Sequence, residues 1–115
     1  MKYLCLIYQD ETQMAKAPKA DADKMVAEYQ VFTESIAKSG QLAGSGRLQP
    51  TSAASTVRVR NGKISTTDGP FAETKEQLVG YYLVEAKDLN DAIQIGARIP
   101  SARVGSVEVR PIWER

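Results

Sequence analysis

Apolar positions along the chain follow two rhythms, an alternation of two and a recurrence of three to four. From Tyr3 to Tyr8 both alternating faces are apolar, Leu4/Leu6/Tyr8 on one and Tyr3/Cys5/Ile7 on the other, which predicts a strand covered on both sides. Leu78-Val79-Gly80-Tyr81-Tyr82-Leu83-Val84 repeats the pattern with the β-branched and aromatic content of a strand. Between them, Met25, Tyr29, Phe32 and Ile36 recur at helical spacing with Ala22. That stripe predicts a helix starting at Asp21 or Asp23, either able to cap free N–H groups, and closing at Gly40. Its aromatics read as core packing. The polar stretch Gln9 to Ala20, with Pro18, reads as a loop. A second helix is predicted after Asp88, with Asp91 in a capping-box-like position, Leu89, Ala92, Ile93, Gly96 and Ala97 inward, and Pro100 as its stop.

Shorter signals fill the gaps. Gln41 to Gln49 carries Leu42, Ala43 and Leu48 broken by Gly44 and Gly46, a strand with a bulge or a close backbone approach. In Thr56 to Thr66, Asn61-Gly62 between alternating runs predicts a hairpin with a type I′ turn, because both central residues need positive φ. A two-residue loop pairs Arg60 with Lys63, Val59 with Ile64, Arg58 with Ser65 and Val57 with Thr66. Asp68-Gly69-Pro70-Phe71 is a rigid turn: Asp can bond downstream backbone, Gly69 is permissive, and Pro70 has a fixed φ and no N–H. At the end, Val107 and Val109 alternate with Glu108 and Arg110, Pro111 edges the strand, and Trp113 is expected on the valines' side.

The order strand, helix, strand, hairpin, strand, helix, strand predicts an α+β fold, a ferredoxin-like sandwich with an extra β-hairpin. Two helices cover one face of such a sheet, yet both central strands are apolar on both faces. The remaining face therefore calls for a partner, and the same face of a second copy, a homodimer, is the simplest one.

Composition narrows the picture. The 115 residues fit a single domain spanning 1–115, and 43% apolar with 25% charged residues is the composition of an ordinary globule. A net charge of +1 gives no global attraction to nucleic acid or anionic membrane. Arg58, Arg60 and Lys63 form a basic edge on the hairpin without aromatics to stack bases, which reads as a solubilised edge and points away from nucleic acid. No apolar run reaches the roughly 20 residues of a membrane span. One cysteine, Cys5, and an N-terminus without a secretory pattern read as cytoplasmic.

Histidine is absent, which excludes Ser-His and Cys-His nucleophile systems, His-ligated metal and imidazole acid–base chemistry; no metal and no cofactor is expected. The catalytic candidates are the carboxylates Asp68 and Glu73, either side of Gly69-Pro70-Phe71-Ala72, where a general base at the mouth of a cleft needs no cofactor. Asp68 also suits a purely structural turn role, and Glu73 a solvated link. Tyr8, Arg47, Phe71 and Tyr82 are ligand-binding candidates: a cation beside glycines, and aromatics able to face a cavity between sheets. Each has a plain alternative, a solvated arginine or packed aromatics. Cys5 reads as an inert core thiol.

Three blocks, Met1-Lys2-Tyr3-Leu4-Cys5-Leu6-Ile7-Tyr8, Thr67 to Tyr82 with its Asp68-Gly69-Pro70-Phe71, and Val107-Glu108-Val109-Arg110-Pro111-Ile112, together resemble the DGPF group of YCII-related bacterial proteins. The resemblance implies a dimeric α/β barrel built from two sheets packed face to face. Proteins of that kind are associated with a His/Asp catalytic pair, and DGPF relatives often carry a histidine before the glycine that opens the last strand. That position is Val104 here, before Gly105, so this chain departs from the pattern. Two functions follow as expectations. One is a dimeric small-molecule-binding domain, open to cofactor-free lyase or isomerase chemistry. The other is a non-catalytic regulatory or interaction module, since DGPF-type proteins are often encoded beside extracytoplasmic-function sigma factors.

Overall fold

The computed structural model describes residues 1–114. Its strands are β1 (Lys2–Gln9), β2 (Leu42–Arg47), β3 (Ser55–Arg60), β4 (Lys63–Asp68), β5 (Gln77–Glu85) and β6 (Ser106–Pro111); its helices are α1 (Glu11–Lys16), α2 (Lys19–Lys38) and α3 (Leu89–Arg98). Four strands form an antiparallel sheet in the order β2-β5-β1-β6, and β3 and β4 pair as a separate two-stranded ribbon. The architecture is α+β, with α2 and α3 on one face of the sheet.

Alternation along β1 and β5 decides what meets the helices. Tyr3, Cys5 and Ile7 of β1 and Tyr82 and Val84 of β5 are buried against Phe32 and Ile36 of α2 and Ala92 and Ile95 of α3, with Ile99 closing the core. The opposite face carries Leu4, Leu6 and Tyr8 from β1 and Leu78, Tyr81 and Leu83 from β5, all half-buried. Glu108 and Arg110 of β6, an ion pair, stand across from Leu6 and Leu4 on that face. A bulge after Ile7 lets β5 pass one extra residue, Val79, which packs against the core.

The hairpin forms as its sequence predicts, residue for residue from Arg60↔Lys63 to Val57↔Thr66, with φ of 52° at Asn61 and 74° at Gly62. The expected bulge in β2 lies between Leu42 and Gly44. The stripe of α2 is as read from Met25 onward, Phe32 and Ile36 buried with Met25 and Tyr29 partly so, while Ala22 is exposed, and Gly40 follows the helix at φ 75°.

Four expectations are corrected. Gln9 to Ala20 is not a loop: Asp10 caps the short α1, its Oδ1 accepting from Thr12 N at 2.9 Å and Gln13 N at 3.3 Å, and α2 already begins at Lys19 behind Pro18. In α3 the inward stripe is Ala92, Ile95 and Gly96 rather than one including Leu89, Ile93 and Ala97; Leu89 and Ile93 are 49% and 45% exposed, and Ala97 is exposed. Asp88 fixes the start of α3 by accepting from Asp91 N, and continuation of the stripe to Ile99 turns the helix so that Ile95 faces the sheet. Gly69 rather than the Asp68 carboxylate anchors the turn, its N–H donating to Ala54 O at 2.7 Å and its carbonyl accepting from Thr56 Oγ1 at 2.8 Å. Trp113 is 96% exposed rather than packed beside Val107 and Val109.

The phase of α3 is measurable: Ile95→Ala should cost about 2–5 kcal/mol in urea unfolding, as a cavity under the sheet does, whereas the exposed Ile93→Ala should cost under about 1 kcal/mol. Burial also pushes the Cys5 thiol up from 9.0 to about 11. The folded core holds the protonated thiol while the unfolded chain ionises earlier, so unfolding releases a proton in that window. Stability should therefore be intact below the ordinary thiol pKa of 9.0 and fall as pH rises toward about 11. Tyr29, whose hydroxyl is raised by burial against the opposing effect of its bond to Ser101, adds to the same trend. Cys5→Ala should flatten the decline of urea midpoints with pH without abolishing it.

Candidate functional site

One end of the sheet gathers the residues with chemical potential. There β1 leaves at Gln9 opposite Gln77, the first residue of β5, and Tyr8 pairs with Ser106, the first residue of β6. The chain lashes this end with side chains. The Glu11 carboxylate at the start of α1 accepts from Thr51 N at 2.9 Å and Thr51 Oγ1 at 2.6 Å, and the Glu11 N–H donates to Gln77 Oε1 at 2.9 Å. Gln77 Nε2 donates to Thr74 O at 2.6 Å, and Ser106 Oγ donates to Glu76 Oε1 at 2.8 Å. Gly105 completes the junction: a Cβ there would stand 2.1 Å from Tyr8 O, so only glycine lets the chain entering β6 pass the end of β1.

The segment from Gly69 to Glu76 is thus held at both ends, by the Gly69 bonds and by Thr74, Glu76 and Gln77. Phe71, 79% exposed, and Glu73, also exposed, project from its middle. Asp68 is exposed at the end of β4, opposite Ser55. Arg47, exposed, ends β2 opposite Gly80. Among the described residues, neither Asp68, Glu73 nor Arg47 belongs to an ion pair.

The two tyrosines part company. Tyr8 lies half-buried on the sheet face away from the helices, whereas Tyr82 is in the core, its hydroxyl 2.7 Å from Thr33 Oγ1 and its ring edge-on to Phe32 at 5.1 Å. A cavity that used both would have to cross the sheet. Tyr81 instead shares the open face with Tyr8, its ring lying over Gly46: a Cβ on that glycine would come within 2.8 Å of Tyr81 Cε1. The strand alternation holds this information, since Tyr81 and Tyr82 must point oppositely, and the Gly44-Ser45-Gly46 pattern marks where an aromatic can lie flat. Glu11, by contrast, has partners 40 and 66 residues away, and local pattern gives no sign of them.

A shallow groove of about 520 Å³ lies on the helix side, lined by Lys24, Val31, Phe32, Arg98 and Arg103 among others. Its arginines are engaged: Arg98 donates to Ser35 Oγ at 2.7 Å and sits 5.6 Å from the Phe32 ring centroid, and Arg103 pairs with Glu28 at 2.7 Å. No cluster of three His, Cys, Asp or Glu side chains is placed to hold a metal ion, and no helix is long and apolar enough to cross a membrane, among the described residues.

An antiparallel α+β domain with one helix-covered face, one open apolar face and a lashed Gly-Pro segment at its end is the class defined by this geometry. The chain belongs to the family of the YCII-related domain, whose model matches residues 1–115. It is also 36% identical over 114 residues to an uncharacterized protein, R00369, of Rhizobium meliloti (strain 1021), covering 97% of this chain and 92% of that relative.

Because the Glu11 carboxylate accepts both Thr51 bonds, Glu11→Ala should lower stability by about 1–3 kcal/mol, the range for leaving a buried donor without its partner, while the Glu11 N–H keeps its bond to Gln77. Thermal or urea unfolding measures this. The carboxylate accepts both Thr51 bonds, so Glu11→Gln, which keeps one acceptor oxygen, should recover part of the loss.

Proposed function

We propose that this YCII-related protein is a homodimeric small-molecule-binding domain, a ferredoxin-like sandwich whose copies pair through their open sheet faces as a dimeric α/β barrel. The observation that carries the reading is the row Leu4, Leu6, Tyr8, Leu78, Tyr81 and Leu83, which lies on the face opposite both packing helices. An apolar sheet face in water is an interaction surface, and a closed twofold pairing lets one patch cover itself. Gly44 on the same face lacks a side chain, and Tyr81 lies flat over Gly46, so apposed sheets leave room beside Gly44 and the Tyr81 ring for a flat ligand. The Gly69 to Glu76 segment, tied to the sheet's end, carries the exposed Phe71 and Glu73, and Asp68 directly precedes it at the end of β4.

Binding is favoured over turnover. Asp68 and Glu73 are exposed, and a useful general base needs a fixed position and a tuned environment. Cofactor-free lyase or isomerase chemistry would require the second copy to supply that environment.

Sedimentation velocity at micromolar concentration should give twice the chain mass, and Leu6→Lys with Leu83→Lys should return the monomer while leaving the far-ultraviolet circular dichroism unchanged. Native mass spectrometry of the dimer purified from cells should show a retained small mass. Asp68→Asn with Glu73→Gln should reduce its occupancy with the melting temperature nearly constant. A wild-type monomer removes the pairing; a dimer that never carries a small molecule removes the ligand.

A further inference from the structure

The β3–β4 ribbon is amphipathic and bare. Its cross-strand register places Val57, Val59, Ile64 and Thr66 on one face and Arg58, Arg60, Lys63 and Ser65 on the other. Val57, Val59 and Ile64 are 60%, 57% and 75% exposed, and the substantial contacts of β3 and β4 are with each other. A lone two-stranded hairpin is marginal in water and needs a third strand or a packing surface to persist. The apolar ridge is thus built for a surface that the described residues do not provide.

The whole molecule has the shape of a plate with an arm. Its radius of gyration is 16.0 Å and its extents are 47 × 45 × 19 Å. A compact domain of this length has a radius of gyration of about 13 Å. The ribbon, about 20 Å long, leaves the sheet after β2 and returns before β5, its neighbour, so both roots sit at one margin of the open face.

We propose that the ribbon is a dimer arm: in the face-to-face pair, Val57, Val59 and Ile64 of each copy lie on the second copy, with Arg58, Arg60 and Lys63 turned to solvent. The inference rests on the pairing proposed above and adds what completes it. Four strands spaced about 4.8 Å apart and about six residues long give a flat footprint of roughly 400 Å². Stable interfaces bury about 800 Å² per partner, so the open face alone sits at the low end and an arm brings the contact into range. A second copy also meets the geometric demand, since a twofold axis that pairs the sheets sends each arm past the margin of the other sheet and makes the exchange reciprocal. The outward charges then keep the ribbon's exposed edges from recruiting further strands. Each copy's arm becomes a wall beside the other's Gly69 to Glu76 segment or its edge strand, so the cavity between sheets closes only in the pair.

The test is a triple variant, Val57→Thr, Val59→Thr and Ile64→Thr, which keeps β-branching and the Asn61-Gly62 turn while removing the apolar ridge. Its dimer dissociation constant, from sedimentation equilibrium, should rise roughly tenfold or more. Hydrogen exchange of the wild-type protein should show β3 and β4 amides protected above the dissociation constant and freely exchanging below it. The sheet-face variant Leu6→Lys separates the two ideas. If it breaks the dimer while the threonine variant does not and the arm amides exchange freely at every concentration, the arm is overturned and the pairing stands. If the wild-type protein is monomeric, both fall. If the threonine variant dissociates and Leu6→Lys does not, the arm holds and the sheet-face contact is replaced.

Discussion

A four-stranded antiparallel sheet has two faces, and α2 and α3 pack on one of them. Phe32 and Ile36 from α2 and Ala92 and Ile95 from α3 meet Tyr3, Cys5, Ile7, Tyr82 and Val84, and that single layer of contacts is the core. Because side chains alternate along a strand, every residue committed to that core leaves a neighbour pointing the other way. In most one-sided sheets those neighbours are polar. Here they are Leu4, Leu6, Leu83 and Tyr81, and the thickness of 19 Å corresponds to one sheet and one helix layer. The proposed pairing, the cavity and the arm are successive responses to that constraint.

The second organising feature is mechanical. The Gly69 to Glu76 segment contains no regular secondary structure, yet it is fastened to β3 through Thr56, to β6 through Ser106 and to α1 through Gln77 and Glu11. Such a segment pays its ordering entropy on folding, so Phe71 and Glu73 are presented from a scaffold rather than from a floppy link. The spacing Asp-Gly-Pro-Phe supplies the turn, and the distant hydrogen bonds hold it.

Local chemistry made some of this legible in the sequence and hid the rest. Asn61-Gly62 dictates a two-residue turn, so the ribbon's register could be written down pair by pair. The stripe of α2 was legible because its aromatics leave one phase available. In α3, Leu89 and Ile93 offered an equally apolar alternative, and the choice between stripes was made by Ile95 and Ile99 reaching the core, a tertiary fact. The short α1 has no apolar stripe; Asp10 was its only local sign. Glu11 was illegible as a keystone because its value lies in Thr51 and Gln77, distant in sequence. Among the candidate residues, the alternation that separates Tyr8 from Tyr82 was readable, but the face each would take was not, since both faces of β1 and β5 are apolar.

The absence of histidine and the exposure of the two turn carboxylates bear on chemistry together. A proton-transfer group acts near neutral pH when burial or a fixed neighbour moves its affinity for protons toward that of the substrate. Imidazole starts there; a carboxylate has to be brought there by desolvation. In a single copy Asp68 and Glu73 are exposed to solvent. Under the proposed pairing, an arm and a sheet from the second copy would supply the missing low-dielectric wall. Any acid–base activity would then be a property of the pair, and the ability to bind a ligand would precede the ability to transform it.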